Sequence, residues 1–399
     1  MRSDSPKSVS AAEEPAVAPI SPDTDQEPAP PISARSISVI IPVFGDGLHI
    51  ARCLKSLQPG NGRTLQVLLV DDGSPQPVAD QLNLPGVCCY RLETNHGPSH
   101  AINRGLEKTA DYWVVILNSD VQVRPGSLTR LIEALEERPE YDFAVAKILQ
   151  DNEPFAVDSI GDGMLLGGGA YRIGHGEVGG RVISLSRPIL SATTTASAYR
   201  RTVLEDVGGF DEDFFGFMED LDLSLRAQLR GYRGLYVPSA VVYHQGGATF
   251  KRRGEKEIFR LITRNQIWVV AKNYPATVFL RALPRIIVFQ VLWMGLMLSR
   301  GLLKACLRGF WQAFRGLPRM LRKRRHIQRS RSITPQEFWQ MLEHSEQEIA
   351  AWQQRLEPAE RSLLLRIYFG LFRSPTTNQQ TANPVLDRQP HNRKVSIFS

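Results

Sequence analysis

Between Ile37 and Glu137 short apolar runs alternate with stretches of helical period, and few folds accommodate that rhythm. Ile37 to Phe44 is apolar enough to need cover on both faces, as a strand of a parallel sheet has. Pro42 marks where the strand runs out. A helix with Leu48, Cys53, Leu54 and Leu57 on one face follows, then a strand from Leu65 to Val70 ending in Asp71-Asp72-Gly73-Ser74. The unit recurs with a strand at Val87 to Leu92, a helix at Gly97 to Lys108, a strand at Tyr112 to Leu117 and a helix at Pro125 to Glu137. Alternation of this kind predicts an α/β domain with a mostly parallel sheet flanked by helices. Ligands of such sheets bind at the carboxyl ends of the strands, and three ends carry polar or acidic groups: Phe44-Gly45-Asp46, Asp71-Asp72 and Asn118-Ser119-Asp120.

A second informative stretch runs from Gly208 to Ala248. Met218, Leu221, Leu225 and Leu229 recur at helical spacing, Gly231 supplies a left-handed stop, and Leu235 to Tyr243 reads as a strand. Glu219 and Asp220 then sit on the first turn of a helix whose other face is buried, where the helix dipole favours the ionised form of a carboxylate. A lone acid there is ordinary. Asp211, Asp213, Glu219 and Asp220, with Asp222 behind them, are too dense to dismiss as helix-start acids. His244 closes the strand beside Gly246 and Gly247, where a ligand or a loop can come near; by itself it reads as a hydrogen-bonded structural histidine more readily than as a ligand.

Residues 1–35 have seven prolines and almost no large apolar side chain, so a disordered tail is expected there, and another over 374–399. Asp151 to Arg187 is glycine-rich and is read as flexible, either a surface loop or a shaper of an acceptor site. From Ile189 to Arg200 a polar strand is expected. Four cysteines show neither zinc spacing nor a pairing pattern, which suits a reducing compartment without structural metal. From the polar, proline- and acid-rich start no secretory signal is expected.

The net charge of +7 is unevenly placed: residues 258–336 hold sixteen Lys or Arg and no acid, leaving the rest at about −9. Within that block, Thr277 to Leu303 is apolar but interrupted by Arg281, Pro284, Arg285 and Arg300, and its uncharged run is short of the about 20 residues a span needs. An amphipathic segment lying in a membrane interface over 276–331 fits better, with Arg322-Lys-Arg-Arg325 attracting anionic lipid. The alternatives are a buried helical hairpin or a nucleic-acid patch; no nucleic-acid partner is expected, because the aromatics adjoin apolar stretches. Thr334-Pro335-Gln336-Glu337 is a capping box, and helices are expected over 332–373.

Gly-Gly-Phe-Asp-Glu-Asp-Phe-Phe (208–215), Met-Glu-Asp-Leu-Asp-Leu-Ser-Leu-Arg (218–226), Gly-Tyr-Arg (231–233) and Tyr-Val-Pro (236–238) with His244 resemble the second half of a family 2 glycosyltransferase, close to the bacterial rhamnosyltransferase branch. The first half agrees in order and spacing, so the resemblance covers about 36–275. It implies the GT-A fold, a nucleotide-binding α/β half joined to an acceptor half, with an α-helical carboxyl-terminal extension.

The resemblance implies these roles. Pro42, Val43 and Phe44 line a nucleotide pocket, and Asp72 accepts from a pyrimidine imide; a turn aspartate before Gly73 explains Asp72 equally well. Gly97 and Asn103 frame the donor. Asn118-Ser119-Asp120 falls where the family has an Asp-x-Asp metal motif, so Asp120 and His244 become ligands of Mg²⁺ or Mn²⁺, with Asn118 in place of the first acid. Asp220 matches the base that deprotonates an acceptor hydroxyl, and Glu219 assists it. The activity implied is inverting transfer of a sugar, rhamnose or another hexose, from a dTDP- or UDP-sugar to a glycan or lipid-linked acceptor. The implied place is the inner face of a bacterial membrane, bound peripherally. The competing reading, for which Asn118 speaks, is an inactive GT-A module that binds sugar nucleotide or organises a glycan assembly complex.

Overall fold

The structure, a computed structural model, describes residues 36–45, 47–58, 60–82, 87–180, 183–246 and 254–372. Both expected tails, Asp46 and Gly247 lie outside these residues.

The first half alternates as its apolar pattern requires: β1 (Ser36–Val43), α1 (Gly47–Ser56), β2 (Thr64–Asp71), α2 (Val78–Gln81), β3 (Cys88–Arg91), α3 (Pro98–Glu107), β4 (Trp113–Leu117), β5 (Val121–Val123), α4 (Ser127–Glu137) and β6 (Phe143–Gln150). The chain continues through β7 (Val157–Ser159), β8 (Asp162–Met164), β9 (Ala170–Arg172), β10 (Arg187–Ile189), β11 (Ala196–Arg200), α5 (Arg201–Asp206), α6 (Glu219–Leu229) and β12 (Gly234–His244). Five helices end the described chain: α7 (Glu255–Asn273), α8 (Ala276–Ser299), α9 (Leu303–Ser330), α10 (Pro335–Arg355) and α11 (Leu363–Leu371).

The main sheet runs β10-β12-β6-β11-β4-β1-β2-β3, with β5 on β12 and β7 on β6. β3, β2, β1 and β4 are mutually parallel, and β12 is parallel to β6. β11 is antiparallel to both its neighbours, β4 and β6. Ile37, Val39, Ile40, Ile41 and all of Val114–Leu117 are fully buried, each large side chain stabilising the sheet by about 1.5–3 kcal/mol relative to exposure. α3 lies close on β1, since a Cβ at Gly105 would meet Ile40 Cγ2 at 2.5 Å.

Two expectations change. The glycine-rich 151–187 stretch is not a flexible loop: β7 joins the main sheet, and β8 with β9 forms a hairpin pinned from the carboxyl-terminal side. Ser345 Oγ accepts from Met164 N at 2.8 Å, Glu346 from Leu166 N at 2.9 Å, and Tyr368 Oη from Gly167 N at 3.1 Å. Nor is 189–200 one strand, because Ser191–Thr195 crosses between β10 and β11.

The acid-rich stretch divides in function. Asp222 accepts from Arg226 Nε, one helical turn on, at 2.8 Å, but also from Lys272 at 2.7 Å and Asn273 at 2.8 Å. Asp211 is clasped by Lys272 and Lys323, and Asp213 by Arg319 and Lys323. These three acids fasten α7 and α9 to the body. Of the basic run, Lys323 is therefore turned inward, and Arg324 donates to Ala271 O at 3.0 Å; only Arg322 and Arg325 are left exposed for a lipid surface. The capping box of α10 forms, with Glu337 N donating to Thr334 Oγ1 at 3.2 Å and Thr334 N to Glu337 Oε2 at 2.8 Å.

Candidate active site

A cleft of about 400 Å³ opens at the carboxyl ends of β1, β2 and β4. It is lined by Pro42, Val43, Phe44 and Asp72 with Asn118, Ser119 and Asp120, and by parts of β8, β9, residues 193–195, residues 215–220 and α7. Asp120 and Asp220, a hundred residues apart, line this one cleft. The segment before β11 joins their neighbourhoods: Asn118 N donates to Thr195 O at 3.1 Å, and Thr194 N donates to Asp220 Oδ2 at 3.4 Å. The cause is the antiparallel register of Ala196 on Leu117, which starts β11 where β4 ends.

His244 reaches Asp120 by the same logic. β12 pairs with β5 so that His244 faces Val121, and Gln245 N donates to Asp120 O at 3.1 Å. His244 Nε2 lies 3.3 Å from Asp120 Oδ1, and Nδ1 lies 2.8 Å from Asp158 Oδ2. Burial opposes the imidazolium, but bonds to the two carboxylates outweigh it, and the His244 pKa rises to about 9. Asp158 is held well below the usual carboxylate range; burial opposes this, and hydrogen bonds from His175 and His244 with the Arg172 charge prevail. Arg172 Nη1 sits 2.7 Å from Asp158 Oδ1.

In the same cleft, Glu219 and Asp220 open α6. Burial, then the Asp220 charge, raises Glu219 to about 8, and burial with the same neighbour raises Asp162 to about 8. Asp220 is raised above its ordinary value by burial, and backbone N–H groups of Leu221 and Thr194 temper the shift. Three carboxyls so placed cannot all ionise cheaply. Asp220, with two N–H donors, is where a negative charge is most at home.

Of the residues expected at the site, Pro42, Val43, Phe44, Asp72, Asn118, Asp120, Glu219, Asp220 and His244 line the cleft, while Gly97 and Asn103 do not. Asp72 already accepts from His96 N at 2.9 Å and Gly97 N at 2.7 Å, so its carboxylate also sets the start of α3. Gly97, at φ +92°, lies against the carbonyl of Phe215, where a Cβ would collide. Asn103 exchanges two bonds of 2.9 Å with the Phe210 backbone and a third with Glu212. Both therefore join the two halves and do not face the cleft. Asp158, Asp162, Arg172, Thr193–Thr195 and Gln266 line it without having been singled out. For the first two the signal is Asp158-Ser-Ile-Gly-Asp162, an acid pair inside the stretch that glycine content makes look like loop.

Among the described residues no cluster of three or more His, Cys, Asp or Glu side chains forms a cation cage. Asp120 and His244 are adjacent, with Asn118 on the same wall, so the donor set for a hard cation is thin and open to oxygens of a ligand.

A sheet that ends in such a cleft, with an aspartate–histidine pair and a buried acid pair at a helix start among its lining, fits a glycosyltransferase. A sequence profile described as Glycosyl transferase family 2 matches residues 38–208. Over 236 residues the chain is 30% identical to N-acetylglucosaminyl-diphospho-decaprenol L-rhamnosyltransferase of Mycobacterium tuberculosis (strain ATCC 25618 / H37Rv), covering 52% of this chain and 75% of that one. The chain belongs to glycosyltransferase family 2. It is also 30% identical over 237 residues to the pre-mycofactocin glycosyltransferase of the same strain, 55% of this chain and 45% of that one. Among solved structures, GalNAc-T7 with UDP, GalNAc and Mn²⁺ aligns at a TM-score of 0.49 and 14% identity over 65% of this chain and 51% of that one.

Proposed function

We propose that this glycosyltransferase moves a sugar from a nucleotide-sugar donor to a hydroxyl of a glycan or lipid-linked acceptor, with inversion, in building a cell-surface polysaccharide. The observation that carries this is the single cleft shared by Asp120 and Asp220. Pro42, Val43, Phe44 and Asp72 take the nucleotide, a pyrimidine imide N–H donating to Asp72. Asp120 and His244, with Asn118 beside them, would hold Mg²⁺ or Mn²⁺, which when bound offsets the charge of a diphosphate. Asp220 accepts the acceptor hydroxyl proton as that oxygen bonds to the anomeric carbon and the bond from that carbon to the diphosphate breaks on the opposite face. The nucleoside diphosphate leaves with the electron pair, and one displacement inverts the centre. Glu219, protonated beside Asp220, keeps the pair to one negative charge. A deoxyhexose such as rhamnose on dTDP is the favoured donor, supported by the likeness to a rhamnosyltransferase. Replacing Asp220 by Asn should abolish transfer from dTDP-rhamnose or UDP-hexoses yet leave nucleotide binding within about twofold, since a base contributes to the chemical step and not to donor affinity; retained turnover removes Asp220 from the role.

The same proposal places residues 276–331 on the inner face of the cell membrane. α8 buries Val278, Ala282, Phe289, Trp293 and Met297 in the protein and exposes Leu280, Ile287, Val291, Met294 and Leu298, the last four at alternating four- and three-residue spacing. Among the described residues it is the helix long and apolar enough to cross a bilayer. Crossing would strip the packed face from the core, whereas lying in the interface leaves it in place. α9 exposes Leu307, Trp311, Phe314 and Leu321 among Lys304, Arg308, Arg315, Arg322 and Arg325, cations that contribute about 1 kcal/mol each near anionic lipid.

A further inference from the structure

The acceptor wall holds polar atoms that neither the fold nor the donor uses. Glu219 is 5% exposed and Gln266 3%. Glu219 Oε2 and Gln266 Oε1 nevertheless have no hydrogen-bond partner, and Asp162 Oδ1 shares that condition. All three residues line the cleft. They come from β8, the first turn of α6 and the middle of α7, so no local turn accounts for them. A buried oxygen left unpaired costs about 1–3 kcal/mol, and three on one wall of a cleft form a set that a ligand rich in O–H or N–H groups would complete. Beside them lie Ala170, Phe217, Met218 and Ile262, apolar surface suited to the C–H face of a ring.

We propose that Asp162, Glu219 and Gln266 form a subsite for an uncharged, hydroxyl-rich pyranose, the terminal sugar of the acceptor. The inference rests on the reading of Asp220 as base, because a ring held there presents one hydroxyl to that carboxylate. Charge selects against acidic sugars. A carboxylate or phosphate on the ring would meet the negative charge that Asp220 carries for this cluster, while Arg172 is paired with Asp158. Hydroxyls both donate and accept, so they suit these oxygens whether the carboxyls carry a proton or not. An acetamido N–H serves equally.

The test measures binding of methyl β-glucoside, methyl N-acetyl-β-glucosaminide and methyl β-glucuronide to the full chain by saturation-transfer NMR, with saturating dTDP or UDP and Mn²⁺. The two neutral glycosides should bind and the glucuronide should bind at least about tenfold more weakly. Gln266→Met keeps the volume and removes the unpaired oxygen, so it should weaken neutral glycosides about fivefold to tenfold without lowering the melting temperature. Asp220→Asn should narrow the gap between neutral and acidic sugars. Equal binding of the glucuronide, no binding of either neutral glycoside, or unchanged affinity in Gln266→Met would each overturn the subsite. A Gln266→Met protein that melts lower would show a structural role instead and overturn it too. Failure of dTDP and UDP to bind at all would count against the donor reading above, independently of the glycosides.

Discussion

Asn265 holds the backbone that delivers Glu219 and Asp220, and removing its amide should be costly out of proportion to its size. Phe215, Phe217 and Met218 all have positive φ, at 65°, 69° and 65°. At Phe215, with ψ near −53°, Gly216 N donates to Phe214 O at 2.8 Å, a γ-turn of the strained, positive-φ form. Asn265, fully buried on α7, donates from Nδ2 to Phe214 O at 3.2 Å, Gly216 O at 2.9 Å and Phe217 O at 2.7 Å. Arg264 adds a bond of 2.6 Å to Phe214 O. Asn265→Ala leaves the Gly216 and Phe217 carbonyls short of this donor at about 1–3 kcal/mol each, in a turn already carrying about 1–3 kcal/mol of strain per unusual residue. A loss of about 3 kcal/mol in a urea titration is expected, with faster amide exchange across 214–222. In the Asn265→Ala background, Phe215→Gly should be more stable than Phe215→Ala by about 1 kcal/mol, because both lose the ring and only glycine takes the turn without strain. A loss under about 1 kcal/mol with unchanged exchange, or an alanine variant as stable as the glycine one, would refute the argument.

Three further outcomes follow from the same geometry. Asp162 and Glu219 are raised to about 8 from 3.8 and 4.5, so the folded state binds more protons than the unfolded one between those values. Their stabilisation is full below pH 4 and lost as pH rises through about 8; Asp162→Asn should flatten the fall in melting temperature between pH 6 and 9, and a slope like that of the wild type would contradict it. His244 titrates near 9, so Mn²⁺ taken by Asp120 and His244 must displace a proton at pH 7.5; calorimetry in buffers of differing ionisation enthalpy should show about one released, and His244→Gln should show none. Val291→Glu with Leu298→Glu should cut cosedimentation with vesicles containing anionic lipid at least tenfold at about 25 cal/mol per Å² of apolar area removed from contact, without disturbing the melt, since both side chains are more than half exposed; unchanged sedimentation would remove α8 from the membrane.

What could be read before the fold was known follows from period and punctuation. The first four strands, the helix from Glu219 and the capping box at Thr334 carry local signals strong enough to survive tertiary context; β6 and the short β5 are not among the strands expected. Met218 shows the limit: its place on the apolar stripe is legible, and it does lie in the core with Leu221, Leu225 and Leu229, but its left-handed backbone depends on Asn265, distant in sequence. The hairpin of β8 and β9 is hidden because glycine lowers every strand signal, while its order is imposed by Ser345, Glu346 and Tyr368. Asn103 and Gly97 illustrate the converse case. The resemblance sets both around a donor, and in the structure contacts with Phe210 and Phe215 hold them.

The hairpin carrying Asp162 and Arg172 is braced by side chains nearly two hundred positions further on, and Asp211 is clamped by Lys323. The last helices are thus buttresses of the reaction chamber, not an appendage that could be trimmed at residue 275. Shortening the enzyme there would leave the nucleotide half intact in outline while the opposite wall lost its supports, and a mutation in α10 could silence transfer from well outside the cleft.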